Sequence, residues 1–387
     1  MNWNWQHSDW PRFAWQPARF AAAEERFLRS GGLLEGVVRH LDDEERDHLI
    51  VDVMSDEAVT TSQIEGEVLA RNSVQSSIRR KLGLAGVEHP SPPAEQGIAE
   101  MMVDVYRHFD APLDEPMLLE WHRMVTRGRT DLRDVGRYRS GGDPMQVVSG
   151  PMYAPIVHFE APPFSQVGDQ MSRYIEWFNR TAPGGSEPLP ALTRAGIAHL
   201  YFESIHPFED GNGRVGRVIA EKALAQSLGR PSLIALAATI LARRREYYGV
   251  LESSNKELEI TAWLQWFAAI VLEAQQRATA QVEFLIDKTR LLDRFRGQLN
   301  SRQQAVLMRM LREGPVGFAG GLSAGKYITI AKTSPATATR DLADLVGKGA
   351  LVRTGDRRHT RYQLPIPLRA TPRFTITDSG EVVISSP

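Results

Sequence analysis

Apolar residues recur at three-and-four spacing from Asp43 to about Leu82, the period of a helix with one face in a core. The run stops at His89-Pro-Ser-Pro-Pro, where proline removes backbone donors and cannot continue a helix. A second helical block spans Glu95 to about Thr126. The period returns at Phe164–Phe178, breaks at Ala182-Pro-Gly-Gly, and resumes through most of Leu189–Leu228 and Ser232–Leu241. Between these blocks, Met145–Pro163 is rich in Val, Pro and Gly. Val147-Val148 and Ile156-Val157 flank the turn signal Gly150-Pro151, which predicts a hairpin or flap. The chain is therefore expected to be mainly α.

A long helix is predicted from Thr261 to about Leu299, its apolar stripe opening with Trp263, Trp266, Phe267, Ile270 and Val271. It reads as a connector. Beyond it, helices at Ser301–Glu313, Ser323–Ala331 and Ser334–Gly347 precede the alternating stretch Ala350–Leu364, a predicted hairpin with Asp356-Arg-Arg-His at its tip. Three helices followed by a hairpin is the order of a winged helix. At the other end, Trp3, Trp5, Trp10 and Trp15, four of the 8 tryptophans, fall among polar and proline positions that cannot form an amphipathic helix. They predict an extended arm whose rings anchor it on its own protein.

Composition sharpens this picture in three places. A length of 387 residues with 42% hydrophobic positions supports two or three domains at roughly 100–200 residues each. The absence of cysteine excludes a disulfide framework, a thiol nucleophile and any thiolate-held zinc or iron–sulfur centre, so a metal must be held by oxygen or imidazole. The near-neutral total conceals an asymmetry: Ser301–Pro365 carries 11 Lys+Arg against 4 Asp+Glu, a net +7, and the remainder carries −8. That stretch is suited to a polyanion. The opening residues lack the basic and apolar regions of a secretory signal, and the longest mostly apolar run, Leu233–Ala242, is far short of the roughly 18–20 residues that span a bilayer. A cytoplasmic chain without a membrane partner is expected.

The segment His206-Pro-Phe-Glu-Asp-Gly-Asn-Gly-Arg-Val-Gly-Arg217 lies between two helical stretches and reads as a loop leading into a helix. Gly211-Asn212-Gly213 lets the backbone come close to a ligand, and the helix start offers free N–H groups at a positive dipole end, a setting for phosphate. Asp210 offers one carboxylate to a Mg²⁺ ion that takes its other ligands from phosphate and water. Arg214 and Arg217 add permanent charge in a fork that fits phosphate oxygens. His206, with an ordinary pKa of about 6.5, suits a general base. Singly, each has an ordinary structural explanation. Together within twelve residues they converge on phosphate chemistry. His199, seven residues before His206, is two helical turns away and is expected to be a core residue rather than a metal ligand.

HPFEDGNGRVGR fits the Fic pattern H-x-F-x-[DE]-G-N-G-R-x-x-R at every specified position, so the protein resembles Fic-domain AMP-transferases. The resemblance implies ATP as substrate and a target protein whose Ser, Thr or Tyr hydroxyl attacks the α-phosphate. It implies His206 as the base, Asp210 as the Mg²⁺ ligand, and Phe208 as the loop's anchor. Gly211, Asn212 and Gly213 would hold phosphates, with Arg214 and Arg217 on the β and γ groups. Tyr247-Tyr-Gly-Val-Leu-Glu-Ser-Ser-Asn255 resembles the family segment lining the adenine end, making Tyr247, Tyr248 and Asn255 nucleotide contacts. The Val147–Pro163 stretch takes the place of the family's flap, with Val148, Ser149 and Gly150 as target-docking positions that pair by strand addition.

Thr61-Ser-Gln-Ile-Glu65-Gly66 fits the family's inhibitory pattern [ST]-x-x-x-E-[GN], placed ahead of the catalytic motif. This implies that Glu65 pairs with Arg217 and restrains the enzyme, with Gly66 letting the helix end approach closely. The opening MNWNWQHSDWPRF resembles an uncharacterised extension found ahead of Fic domains. The resemblance covers about residues 1–290. The expected organisation is an arm and inhibitory helical region over 1–90, a Fic catalytic domain over 91–260, a connecting helix over 261–300, a winged-helix domain over 301–365 and a tail over 366–387. The last domain, with Arg353, Arg357, Arg358 and Arg361 around its wing, fits duplex DNA, a protein partner or a second copy of the chain. Two alternatives stand beside AMP transfer: a nucleotide-sensing DNA-binding regulator, and transfer of another phosphate-linked group.

Overall fold

The computed structural model describes residues 3–85, 89–151 and 155–386. Its order is helical almost throughout: α1 (Ala21–Arg39), α2 (Asp43–Ile64), α3 (Arg71–Leu82), α4 (Pro93–Arg107), α5 (Glu115–Val125), the hairpin β1 (Gln146–Ser149) and β2 (Ile156–Glu160), then α6 (Phe164–Arg180), α7 (Ala191–Ile205) and α8 (Asn212–Leu228). There follow α9 (Leu236–Ala242), α10 (Arg244–Ser254), α11 (Thr261–Arg294), α12 (Ser301–Leu311), α13 (Ala324–Ala331), α14 (Pro335–Lys348), and the hairpins β3 (Val352–Thr354) with β4 (Arg361–Gln363) and β5 (Arg373–Ile376) with β6 (Val382–Ser385). The mainly α expectation holds. No helix among the described residues is long and apolar enough to cross a membrane.

The chain divides into two compact units, residues 1–275 with 373–385, and residues 276–372 with 386–387. In the first, α7 lies at the centre. Every one of its residues from Ala191 to Ile205 is buried, so it carries apolar side chains on all sides instead of one stripe. Its first turn lacks a cap of its own, and Glu24 of α1 supplies one: the carboxylate accepts the N–H groups of Leu192 and Thr193 at 2.9 and 2.8 Å. Burial raises the pKa of Glu24, the Leu192 and Thr193 hydrogen bonds opposing it. The sequence reading has no element at α1. Gly31, Gly32 and Gly36 interrupt its pattern, and a Cβ on Gly31 would press on a Leu228 methyl at 2.8 Å.

The tryptophan arm is docked on this unit. Trp3 packs edge-on to Phe159, Trp5 Nε1 donates to the Glu160 carbonyl at 2.7 Å, and Trp10 Nε1 donates to Gln170 at 2.7 Å. Asn4 is fully buried, its side chain donating to Ser204 Oγ at 2.8 Å and its N–H to the Asn255 carbonyl at 2.7 Å. Residues 373–385, read from sequence only as part of a tail, form a hairpin that adds Phe374 and Ile376 to the same core. Their alternation is the period of a half-buried strand.

In the second unit, α12, α13 and α14 start at Asn300, Ser323 and Ser334, each of which caps its helix through its side chain. Val306, Leu307, Met310, Tyr327, Leu342 and Leu345 fill the core. Leu322 bridges antiparallel to Tyr362 beside the β3–β4 hairpin. Arg353, Arg357 and Arg358 are exposed.

Candidate functional site

The site is built where α7 stops. Pro207 cannot extend the helix, and His206 caps it in a left-handed conformation, φ 50° and ψ 58°, that for a side-chain-bearing residue costs on the order of 1–3 kcal/mol. The surroundings hold it there. Its N–H donates to the Phe202 carbonyl at 2.9 Å, and Arg139 donates from Nε to the His206 carbonyl and from its backbone N–H to the Pro207 carbonyl, both at 2.8 Å. Phe208 is fully buried and stacks on His122, with centroids 4.1 Å apart and planes at 5°. Asn212 closes the loop reciprocally, accepting the Phe208 N–H at 2.9 Å and donating to the Phe208 carbonyl at 2.8 Å. Its side chain is therefore committed to the loop, which leaves backbone N–H groups as the donors this stretch can offer.

Gly211 sits in the left-handed region, φ 85°, immediately before α8. The first-turn N–H groups of α8 have no intrahelical acceptor, as at any helix start. A Cβ on Gly213 would come within 2.2 Å of Glu65 Oε1, and one on Gly216 within 2.5 Å of Glu203 Oε1. Two glycines one turn apart thus admit two carboxylates. Gly66 has a different reason from the one expected. Nothing lies within 4 Å of the position its Cβ would take, and its φ of 88° ends α2 in a left-handed turn. Close approach is provided by Gly213.

Arg217 is 2% exposed and fully engaged on one edge, donating from Nε to Thr61 Oγ1 at 2.7 Å, and from one terminal nitrogen to the Thr61 carbonyl at 2.9 Å and Glu65 Oε1 at 2.7 Å. Its other terminal nitrogen has no partner. Burial disfavours the Arg217 charge, but Glu65 outweighs it and raises the pKa. Arg214, also buried, donates to Glu67 Oε2 at 2.8 Å and the Val125 carbonyl at 3.2 Å. Glu67 is absent from the sequence reading. Its signal was its position two residues beyond Glu65, but only the turn at Gly66 brings both carboxylates onto the motif arginines.

The His206 ring is 14% exposed, with Nδ1 3.8 Å from Glu203 Oε2. Burial pulls its pKa down to about 4, with the Arg139 charge adding to the effect, so the imidazole is neutral throughout the neutral range. Burial pushes Glu203 up to about 8, with the Glu65 charge adding and Arg217 opposing. Asp210 is half-buried. Burial opposes its ionisation, yet Arg214, the Gly211 N–H and Arg129 outweigh that and hold its pKa below the usual carboxylate value. Arg129 pairs with both Asp210 and Asp131. Asp210 supplies one hard oxygen donor, and no group of three metal-ligating side chains occurs among the described residues.

Tyr247 is buried, its hydroxyl 2.8 Å from His199 Nε2. His199 stacks on Trp263 and Phe267 in the core, as expected of it. Tyr248 is part-exposed and donates to the Ile64 carbonyl at 3.3 Å, one residue before Glu65. Asn255 is engaged with the arm through Asn4 and with Ser204 at 3.5 Å. Val148, Ser149 and Gly150 are exposed on the β1–β2 hairpin, whose expected tip includes residues 152–154, outside the described residues.

This arrangement offers a neutral base, a glycine-lined helix start, one carboxylate for a cation, and two arginines held by acidic residues from one helix end. A family profile described as Fic/DOC family matches residues 112–224, and one described as a domain of unknown function, DUF4172, matches residues 3–84. The chain is 32% identical over 148 residues to protein adenylyltransferase fic-1 of Caenorhabditis briggsae, covering 38% of this chain and 25% of that protein. It is 32% identical over 69 residues to a probable protein adenylyltransferase of Aquifex aeolicus (strain VF5), covering 18% of this chain and 20% of that one. The chain thus spans about a quarter or less of the length of these relatives. Among solved structures, a Fic family protein from Desulfovibrio desulfuricans G20 shares the fold across 92% of this chain and 98% of its own, at a TM-score of 0.51 and 22% identity. Residues 112–224, with the motif loop inside them, match the Fic/DOC family as a domain.

Proposed function

We propose that the chain moves AMP from ATP to Ser, Thr or Tyr hydroxyls of a target protein, and that Glu65 restrains it. The observation that carries this reading is the neutral His206 beside a glycine-lined helix start whose Arg217 is held by Glu65. His206 takes the proton of the attacking hydroxyl. The N–H groups at Gly211–Gly213 and the two arginines receive the phosphate tail, and Tyr247, Tyr248 and Asn255 belong to the adenine end. Asp210 would hold Mg²⁺ once Arg129 releases it, and the ion would supply charge neutralisation on phosphate oxygens. An arginine paired with Glu65 cannot also seat the γ-phosphate, and the added negative charge repels it, so ATP lies unfit for in-line attack. Withdrawal of the α2 end would restore the pose. The test is transfer of radiolabel from α-labelled ATP to proteins of a cell extract: low for the wild type, high for Glu65→Gly, and lost in Glu65→Gly/His206→Ala. No gain in the single variant would refute the restraint, and another nucleotide giving faster labelling would reassign the transferred group.

A second reading concerns residues 301–365. Their +7 charge and the exposed Arg353, Arg357 and Arg358 favour a winged helix that binds duplex DNA. Anisotropy titration of the full chain should show binding at low salt that weakens steeply as salt rises. No binding at low ionic strength would leave a protein-docking or self-association module as the role of this region.

A further inference from the structure

A cavity of about 340 Å³ lies between the tryptophan arm, α6 and α7, and is lined by none of the residues that the transfer reading uses. Its volume is within the range of small-molecule sites. One wall follows from helix periodicity. Arg173, Trp177 and Arg180 stand at i, i+4 and i+7 on α6, so a single face presents an aromatic ring with a guanidinium one turn to either side. Tyr201 of α7 meets Trp177 edge-on, with centroids 5.8 Å apart, and Phe13 of the arm meets the same tyrosine at 5.8 Å. The arm adds Arg12 and Trp15 to the lining.

The tryptophans here divide by what they touch. Trp5 and Trp10 donate their indole N–H groups to the Glu160 carbonyl and to Gln170, which anchors the arm. Trp15, like Trp177, has no acceptor for its indole N–H among the described residues. The Tyr201 hydroxyl is buried and also without a partner. Burial raises its pKa against the opposing charges of Arg173 and Arg180, so it stays protonated and able to donate. Arg180 is shared between Glu176 at 3.8 Å and Glu187 at 3.2 Å, whereas Arg12 and Arg173 enter no ion pair among the described residues. The lining is thus aromatic, rich in donors and positive, with three arginines against the single Glu176. A mere packing gap would need neither the donors nor the charge.

We propose that this cavity binds a small planar aromatic anion. The ring of the ligand lies against the indoles of Trp15 and Trp177, in the offset or edge-to-face contacts that aromatic pairs favour. Its carboxylate or phosphate is taken by Arg12 and Arg173, whose planar forks match such groups and have no acidic partner to release first. Because Arg12, Phe13 and Trp15 belong to the arm, the ligand binds only while the arm is docked, and by linkage it stabilises that docking. The segment it steadies also touches Phe159 through Trp3 and the Asn255 carbonyl through Asn4.

Calorimetric titration of the full chain tests this with three probes: naphthoate, naphthyl phosphate and the neutral naphthamide. At least one of the two anions should bind with a Kd on the order of 0.1 mM or below, and the tighter of them identifies the anionic group. Naphthamide should bind at least about tenfold more weakly. Arg12→Gln and Arg173→Gln replace exposed side chains and leave the core intact, and each should weaken the anion about tenfold. Binding of neither anion at about 1 mM overturns the proposal. So does equal affinity for naphthamide, which would make the cavity a merely apolar one. Affinity indifferent to both arginine variants places the probe elsewhere on the chain and overturns it as well.

Discussion

The motif loop and the α2 end that covers it are held by different kinds of contact. The loop is fastened to its own fold by the Asn212–Phe208 pair, by Arg139 on two consecutive carbonyls, and by Phe208 stacked on His122. The α2 end reaches the motif through Thr61, Glu65 and Glu67, by hydrogen bonds and ion pairs with partly exposed carboxylates. Loosening the first dismantles the core. Loosening the second exchanges one set of anions on Arg214 and Arg217 for another, which a phosphate tail can supply. On the proposed reading, the transfer geometry belongs to the loop and the restraint to the Glu65 and Glu67 contacts.

The largest break in this comparison is His206→Ala. In the Glu65→Gly background it should lower radiolabel transfer to extract proteins by about 10²–10⁴, while fluorescent ATP-analogue binding persists. Phe208→Ala removes a fully buried ring from under the loop and should cost about 3–5 kcal/mol of folding stability, read from urea melts. Glu65→Gly should raise transfer roughly tenfold and, because it leaves the buried Arg217 without its carboxylate, cost about 3 kcal/mol of stability. Glu67→Gln should act in the same direction by about threefold, because Arg214 keeps the Val125 carbonyl and Asp210 as partners.

The smallest effect is a pH slope. Glu203 has a folded pKa raised to about 8, so its contribution to stability is complete below the unfolded value near 4.5 and is lost as pH rises through 8. Glu57, also raised to about 8 by burial, acts in the same sense. The buried imidazoles of His122, His199 and His206, lowered to about 4, act the other way, but their contribution is already complete above about 6.5. Stability should therefore fall between pH 6.5 and 8, and Glu203→Gln should flatten part of that fall by about 1 kcal/mol per pH unit at most. An unchanged slope in thermal melts would mean that Glu203 is ionised in the resting fold.

The motif loop was legible because its requirements are local: a helix stop, a left-handed glycine and a helix start must follow one another along the chain. Glu67 and Arg129 were not, because each acts on a residue from a different part of the fold, and neither was Glu203, three residues before His206, because an acidic residue on a helix resembles a solvated one until its neighbours are known. The same applies to glycine. Gly66 and Gly213 both looked like places of close approach, and only the path of Glu65 shows that Gly213 is the one. Asn212 sits among phosphate-facing positions, yet its amide is spent on Phe208. α1 was hidden by three glycines, of which only Gly31 faces a close neighbour, and β5–β6 by its brevity.

That last hairpin has a consequence for synthesis. Phe374 and Ile376 complete a core whose other buried residues all precede position 276, so residues 276–372 must be translated in between. At about 5–20 residues per second, the Fic unit waits on the order of 5–20 s for its final strands after most of it has left the ribosome. The intervening unit, with its own core and capped helices, has the means to form during that wait. The order of folding is then the reverse of the order in which the two units begin.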